Sequence, residues 1–129
     1  MVALVSTLPN SLLSNRAFGH EQIFFEDGKL PSNIGFFNDN TVREDRANLK
    51  KVPYQPGYDT GWNDCVMRKA AAKLDPAPLP YDLLGNVKTG AGQYNCQNWA
   101  AGVRRAYRAL IKVPAVIEEC CPTEAEKKK

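Results

Sequence analysis

Residues 94–111 read YNCQNWAAGVRRAYRALI, and this stretch carries the strongest structural signal in the chain. Its apolar residues recur at intervals of three and four, which predicts an amphipathic helix over residues 96–111. Asn95 stands at the N-cap position and Pro114 lies just beyond the helix, so both ends are marked. The apolar face, which we expect to pack inward, consists of Trp99, Ala100, Val103, Ala106, Tyr107, Leu110 and Ile111.

A second, shorter helix is predicted over residues 64–74, which read DCVMRKAAAKL. Prolines at positions 76, 78 and 80 end it, because proline cannot continue a helix. Residues 81–84 are expected to form either a strand or a short turn. The apolar residues that share one face of this helix are Met67, Ala70, Ala71 and Leu74.

Upstream of both helices, residues 20–37 predict a β-hairpin. HEQIFFE (20–26) is the first strand, SNIGFF (32–37) is the second, and Asp27 with Gly28 makes the turn. Such a two-residue turn pairs residues whose numbers sum to about 55. Residues 38–61 are polar and are expected to be mostly loop. Candidates for a short third strand within that loop are Val52, Tyr54 and Tyr58.

Length and composition indicate a single α+β domain over residues 1–129, with a core over about 16–113 and a flexible tail over 114–129. The net charge is +3, and the sequence lacks the basic stripe with interleaved aromatics of a nucleic-acid binder. No apolar run approaches the ~20 residues of a membrane span, and the N-terminus lacks a typical signal peptide. We therefore expect a protein made in the cytoplasm, with no nucleic-acid partner and no membrane span.

The four cysteines stand at positions 65, 96, 120 and 121, a poor framework for disulfides. Cys120 and Cys121 are adjacent, and adjacent cysteines bridge each other only with backbone strain. No CxxC pair occurs and His20 is the single histidine, so a Cys/His zinc site lacks its usual spacing. We expect free thiols, no metal and no cofactor.

Cys96 is the leading candidate for a nucleophile. It stands at the first turn of the predicted helix, where the partial positive charge of the helix N-terminus favours a thiolate. Backbone N–H groups at this end, around Asn95 and Gln97, could hold an oxyanion. The alternative is that Cys96 is a small buried hydrophobic residue of the core.

A thiol nucleophile needs a base, and His20 is the only imidazole available. It opens the first hairpin strand, a position from which it can reach a helix packed on the sheet. Asn33, on the returning strand, is expected to orient the imidazole through its amide oxygen. Structural roles remain open for both residues: a lone histidine near an apolar strand is often structural, and an asparagine near a turn often caps the local backbone.

Cys65 is the alternative nucleophile, because Asn63 and Asp64 also suit a helix N-cap. Its neighbours at i+3 and i+4 are Arg68 and Lys69, which place it on the polar face of its helix. Nearby cations could lower its pKa there, but that face points away from the sheet. Cys96 therefore ranks above Cys65.

Two segments together resemble the circularly permuted branch of the NlpC/P60 (papain-like) superfamily, which includes lecithin:retinol acyltransferase-like proteins and bacterial amidase and toxin domains. The first begins at Gly19 and His20 and runs through the hairpin FFEDGK; the second is YNCQNWA leading into the amphipathic helix. The resemblance implies a small antiparallel sheet with packed helices and a cysteine nucleophile at a helix N-terminus. Many relatives carry a second histidine on the returning strand, where this sequence has Ser32 and Asn33.

From the residues and the resemblance together we expect a cysteine hydrolase that cleaves an amide bond through a Cys96–His20 dyad and an acyl-enzyme. The expected substrate is a cell-wall peptide or a protein. The family's habits favour an effector secreted without a signal peptide, with a cognate inhibitor protein as partner. Two alternatives stay open: a thiol acyltransferase on the same scaffold, and a non-enzymatic interaction module that docks through its arginine-rich helix face.

Overall fold

The computed structural model describes residues 2–7, 21–44, 54–81 and 94–128. These residues form an α+β fold, as the sequence predicts, with an antiparallel sheet in the order β4-β3-β2-β1-β5. The strands are β1 (Val2–Thr7), β2 (Glu21–Phe25), β3 (Asn33–Phe36), β4 (Val42–Arg43) and β5 (Tyr54–Trp62). The helices are α1 (Asp64–Lys73), α2 (Cys96–Leu110), α3 (Pro114–Cys120) and α4 (Glu124–Lys127).

Both helices predicted from apolar spacing are confirmed, and they pack together over one face of the sheet. Ile23 of β2 and Phe36 of β3 are fully buried in one cluster with the apolar residues of α1 and α2. The indole of Trp99 donates to the carbonyl of Leu74 (2.9 Å), which ties α2 to the C-terminal end of α1. The helix face that the sequence predicts is therefore the face that forms the core.

The short third strand expected around Val52, Tyr54 and Tyr58 is confirmed at the two tyrosines, while Val52 lies outside the described residues. The strand is longer than expected, so the expectation of a mostly loop segment over residues 38–61 is wrong for its second part. Residues 54–62 (YQPGYDTGW) form β5, which pairs with β1, and β1 itself is an inner strand that lies between β2 and β5. The segment lacks alternating apolar residues, and it contains a proline and two glycines. Its strand conformation is stabilised by backbone pairing with β1, a long-range interaction that local sequence patterns do not report.

The hairpin is confirmed, but its register is shifted from the expected one. Ile23 pairs with Ile34 rather than with Ser32, and Phe24 pairs with Asn33. The connecting loop is longer than two residues, since the last ladder bond runs from the Phe25 N–H to the carbonyl of Ser32 (2.9 Å).

The tail over residues 114–129 is expected to be flexible, but residues 114–120 and 124–127 within its described part, 114–128, are helical. Val116 and Glu126 are buried, and Cys120 forms a disulfide with Cys65 of α1, with a Cα–Cα distance of 5.4 Å. The expectation of four free thiols is therefore wrong for this pair. The two cysteines are far apart in sequence and meet because α3 packs near α1, so spacing could not predict the bond.

Candidate functional site

Cys96 is the first residue of α2, and Asn95 is its N-cap, both as predicted. The Asn95 side chain accepts hydrogen bonds from the backbone N–H groups of Gln97 (2.9 Å) and Asn98 (3.2 Å). The Asn98 side chain accepts in return from the Asn95 N–H (3.0 Å), which completes a capping box. The Gln97 N–H, a predicted oxyanion donor, therefore already has the Asn95 oxygen as a partner.

The Cys96 side chain is buried, with 1% of the residue exposed. Burial raises the pKa of its thiol, because a thiolate loses solvation in the interior. The nearby Glu21 carboxylate also raises this pKa, whereas hydrogen bonds from the backbone N–H groups of Glu21 and Gln97 and from the Tyr81 hydroxyl lower it. The thiol is thus neutral at rest, in surroundings that also contain donors suited to a thiolate.

Tyr81 is a site residue that the sequence analysis missed. Burial, followed by the neighbouring Cys96, raises the pKa of Tyr81 to about 12, so its hydroxyl keeps its proton and can donate. The ring packs on Phe36 with centroids 5.3 Å apart, and the Tyr81 N–H donates to Asn40 Oδ1 (2.6 Å). Tyr81 precedes Cys96 by fifteen positions in the sequence, so no helical or strand periodicity could link them.

Glu21 and Arg104 were also missed. Arg104 Nη1 lies 2.7 Å from Glu21 Oε1, and both side chains are mostly buried. Arg104 falls on the polar side of the helical wheel, where a solvated arginine is the usual expectation. It contacts the sheet because its long side chain reaches the first residue of β2.

His20, the predicted base, lies outside the described residues, so its contact with Cys96 stays a prediction. The residue that directly follows it, Glu21, is described, and its backbone N–H is hydrogen-bonded to the Cys96 thiol.

Asn33, the predicted orienter of the imidazole, is buried, and its contact with His20 stays a prediction because His20 lies outside the described residues. Its Oδ1 accepts a hydrogen bond from Gln22 Nε2 (2.8 Å), and its Nδ2 donates to Ser32 Oγ (3.1 Å). Because side chains alternate along a strand, Gln22 and Asn33 project from the face opposite to Ile23, which packs under the helices.

Cys65, the alternative nucleophile, is bonded to Cys120, so its sulfur is not a free thiol. The cations expected to activate it have other partners. Arg68 pairs with Asp27 (2.8 Å), and Lys69 pairs with Glu119 (2.6 Å). Cys96 and Cys121 are the free cysteines, and Cys121 is exposed.

Within the described ranges, no group of three or more His, Cys, Asp or Glu side chains could hold a metal ion. None of the helices in those ranges is long and apolar enough to cross a membrane. Comparison with known proteins gives no match to a family model, a curated protein or a solved structure.

Proposed function

We propose that this protein is a cysteine hydrolase that cleaves an amide bond, with Cys96 as the nucleophile and His20 as the base. One observation supports this proposal above the others: the Glu21 N–H hydrogen-bonds to the Cys96 thiol, and His20 directly precedes Glu21. Glu21, which follows the only histidine in the sequence, thus lies at the first turn of α2, and among the described helices only α2 begins with a cysteine outside the disulfide.

Because the pKa of the Cys96 thiol is raised, the reaction begins with removal of the thiol proton. His20 takes the thiol proton as the sulfur attacks the carbonyl carbon of the substrate, and the carbonyl oxygen becomes an oxyanion. Collapse of this intermediate breaks the C–N bond, the imidazolium gives its proton to the leaving amine, and a thioester remains. Water then attacks the thioester, with His20 again as base, and releases the acid and the Cys96 thiol.

The donors around Cys96 suit this chemistry. Hydrogen bonds from the Glu21 N–H and the Tyr81 hydroxyl stabilise the thiolate as it forms, which offsets part of the cost of burial. The Gln97 N–H already has the Asn95 side chain as its acceptor. The Tyr81 hydroxyl has a single proton, so donating it to an oxyanion would replace its hydrogen bond to the sulfur.

The resemblance to the permuted NlpC/P60 group favours peptide crosslinks of bacterial cell wall as substrate, followed by protein or isopeptide bonds. An exported effector that is held inactive by an inhibitor protein belongs to the same proposal. A thiol acyltransferase would share every step up to the thioester and differ in the acceptor.

A non-enzymatic interaction module is the second candidate, and the burial of Cys96 favours it. A cysteine that is 1% exposed and neutral at rest also fits a purely structural role in the core. Arg105 and Arg108 are exposed on α2 and would then belong to the docking face.

The test is hydrolysis of purified muropeptides and of casein, followed by mass spectrometry of the products. We expect Cys96→Ala to abolish product release while Cys121→Ser, the change at the other free thiol, leaves it intact. A peptidyl chloromethyl ketone should alkylate Cys96, with loss of chloride and formation of a stable thioether that mass spectrometry locates. Undiminished hydrolysis by a folded Cys96→Ala variant would rule out the proposal, and absence of both turnover and labelling in the wild type would favour the interaction module.

A further inference from the structure

The ion pair between Glu21 and Arg104 joins the start of β2 to the middle of α2. Arg104 Nη1 and Glu21 Oε1 are 2.7 Å apart, and the two side chains are 20% and 15% exposed. A pair shielded to this extent is less screened by solvent and salt than an exposed one. It can therefore fix the relative position of the strand and the helix.

Arg104 follows Cys96 by eight residues, which corresponds to about 12 Å along a helix axis. Helical side chains lean toward the N-terminus, so the Arg104 guanidinium extends back toward the first turns of α2. Arg105, the next residue, is exposed. Of the two neighbouring arginines, Arg104 is therefore the one whose side chain contacts the strand.

Glu21 contacts the site through two groups. Its backbone N–H is hydrogen-bonded to the Cys96 thiol, and its carboxylate accepts from Arg104. The titratable side chains that face the thiol in the described residues are Glu21 from β2 and Tyr81 from the segment ahead of α2, with Arg104 paired to Glu21. An anionic carboxylate this close opposes a thiolate, and an adjacent guanidinium reduces that opposition.

We propose that Arg104 is a positioning residue for Cys96. Its ion pair with Glu21 holds the start of β2 against the first turns of α2, and its charge offsets the carboxylate beside the thiol. This inference rests on the proposed function, in which the thiolate of Cys96 attacks the substrate. In the proposed function the base is His20, which directly precedes Glu21 in the sequence. The ion pair with Arg104 therefore anchors the residue that follows the proposed base.

The experiment measures the rate of Cys96 alkylation by iodoacetamide against pH in a Cys121→Ser background, where Cys96 is the one free thiol. Arg104→Gln should raise the pH midpoint of alkylation by about one unit, because the positive charge that offsets the Glu21 carboxylate beside the thiol is removed. Glu21→Gln should lower the midpoint. In the Glu21→Gln background, the added Arg104→Gln change should shift it much less, since the arginine acts through the carboxylate.

Two controls separate this role from general effects of charge and folding. Arg105→Gln removes the same charge from the neighbouring position and should leave the midpoint within about 0.2 units, because exposed charges are screened. Arg104→Lys keeps the charge and should restore most of the wild-type midpoint. If Arg104→Gln does not fold, the expected decrease in Glu21→Gln still tests the proposal.

An unchanged midpoint in folded Arg104→Gln, an equal shift in both Glu21 backgrounds, or no decrease in Glu21→Gln would overturn the positioning role. Alkylation needs no substrate, so it is independent of the hydrolysis test. If the variants show the expected coupling but Cys96→Ala still hydrolyses substrate, the proposed function fails and the Glu21–Arg104 coupling stands.

Discussion

At the scale of single residues, the burial of Cys96 and its hydrogen bonds have opposite effects on thiol chemistry. Burial raises the pKa of the thiol, and the Tyr81 hydroxyl, which keeps its own proton, lowers it by donating to sulfur. The reactivity of Cys96 therefore depends on a small number of neighbours, of which the Tyr81 hydroxyl and the Glu21 carboxylate are side-chain groups that one substitution can remove.

Tyr81→Phe removes one of these donors and nearly preserves the shape of the side chain. We expect the pH midpoint of Cys96 alkylation to rise by roughly half a unit to one unit, because the thiolate loses a hydrogen bond. The measurement is the iodoacetamide rate profile in the Cys121→Ser background. Tyr94→Phe is the matched control, since the Tyr94 ring also packs on Phe36, at 5.6 Å between centroids. Equal shifts in the two variants would contradict a specific role for the Tyr81 hydroxyl.

The part of this site that could be predicted from sequence is local. Asn95 and Cys96 follow from helix capping, which involves residues within three positions of each other. The contacts of Cys96 with Glu21 and Tyr81 depend on how strand and helix pack, and no periodicity encodes that distance. The hairpin register, which differs by two positions from the expected one, likewise depends on the length of the connecting loop and not on the strand pattern.

At the scale of elements, a buried polar pair fixes the β2–β3 hairpin. Gln22 is fully buried and donates to Asn33, and a Cβ built on Gly35 would lie 1.9 Å from Gln22 Oε1. A glycine is therefore required at position 35, because a side chain there would overlap Gln22, and Gln22 cannot move without breaking its hydrogen bond to Asn33.

Gly35→Ala should destabilise the protein by about 1–3 kcal/mol, because the new methyl group overlaps the Gln22 side chain. Urea unfolding of the single variants Gly35→Ala and Gln22→Ala and of the double variant measures the coupling. In the Gln22→Ala background the added methyl group has room, so the cost of Gly35→Ala should be much smaller. An equal cost in both backgrounds would show that the contact with Gln22 is not the cause.

The hairpin loop is held from outside by α1. Arg68 forms two hydrogen bonds with the Asp27 carboxylate (2.8 and 3.0 Å) and donates to the carbonyls of Lys29 and Pro31. Its guanidinium also lies 3.9 Å from the Phe25 ring centroid. These contacts explain why the loop is longer than the two-residue turn that the Asp27-Gly28 pair predicts from sequence alone.

The hydrogen bond from Arg68 holds the pKa of Asp27 at about 2, below its usual value of 3.8. A depressed carboxylate pKa contributes stability that is fully present above about pH 4 and is lost as pH falls toward 2. Asp27→Asn should therefore reduce the free energy of unfolding by about 1 kcal/mol at pH 7, and by progressively less below pH 4. Urea unfolding from pH 7 to pH 2 tests this.

Arg68→Met supplies the control for that pH dependence, because it removes the partner of Asp27. In the Arg68→Met background, the Asp27→Asn change should cost much less at every pH. A cost that stays constant down to pH 2 would show that Asp27 acts through the loop backbone, where its Oδ1 also accepts from the Lys29 N–H (3.0 Å).

At the scale of the whole molecule, the C-terminal segment is part of the folded unit. The Tyr107 hydroxyl of α2 accepts from the Asn63 N–H (2.9 Å) and donates to the carbonyl of Glu126 (3.3 Å). The Asn63 side chain donates to the carbonyl of Cys120 (3.4 Å), and the Tyr107 ring packs edge-on against Trp62 at 4.6 Å. The sequence EECCPTEAEKKK is too polar to predict this docking, which depends on single contacts rather than on an apolar face.

The Cys65–Cys120 disulfide closes a loop with a sequence separation of 55 residues. Such a link restricts the unfolded chain, and its loss typically costs about 2–4 kcal/mol. We expect urea unfolding of the double variant Cys65→Ala/Cys120→Ala to show a free energy of unfolding that is lower by this amount. The wild-type protein, unfolded in urea with dithiothreitol to reduce the disulfide, should show the same decrease. Cys121→Ser, which alters the exposed neighbouring thiol, should leave the unfolding curve unchanged.

The same variants test whether the C-terminal segment contributes to the site or only to stability. Cys65 lies on α1, and the described contacts of Cys96 come from β2, from Tyr81 and from its own helix. The double alanine variant should therefore keep the wild-type pH midpoint for Cys96 alkylation under native conditions, because none of those contacts involves α3. A midpoint that shifts together with the loss of stability would mean that the disulfide positions α2 as well, and the division between a stabilising C-terminal segment and an independent thiol site would be wrong.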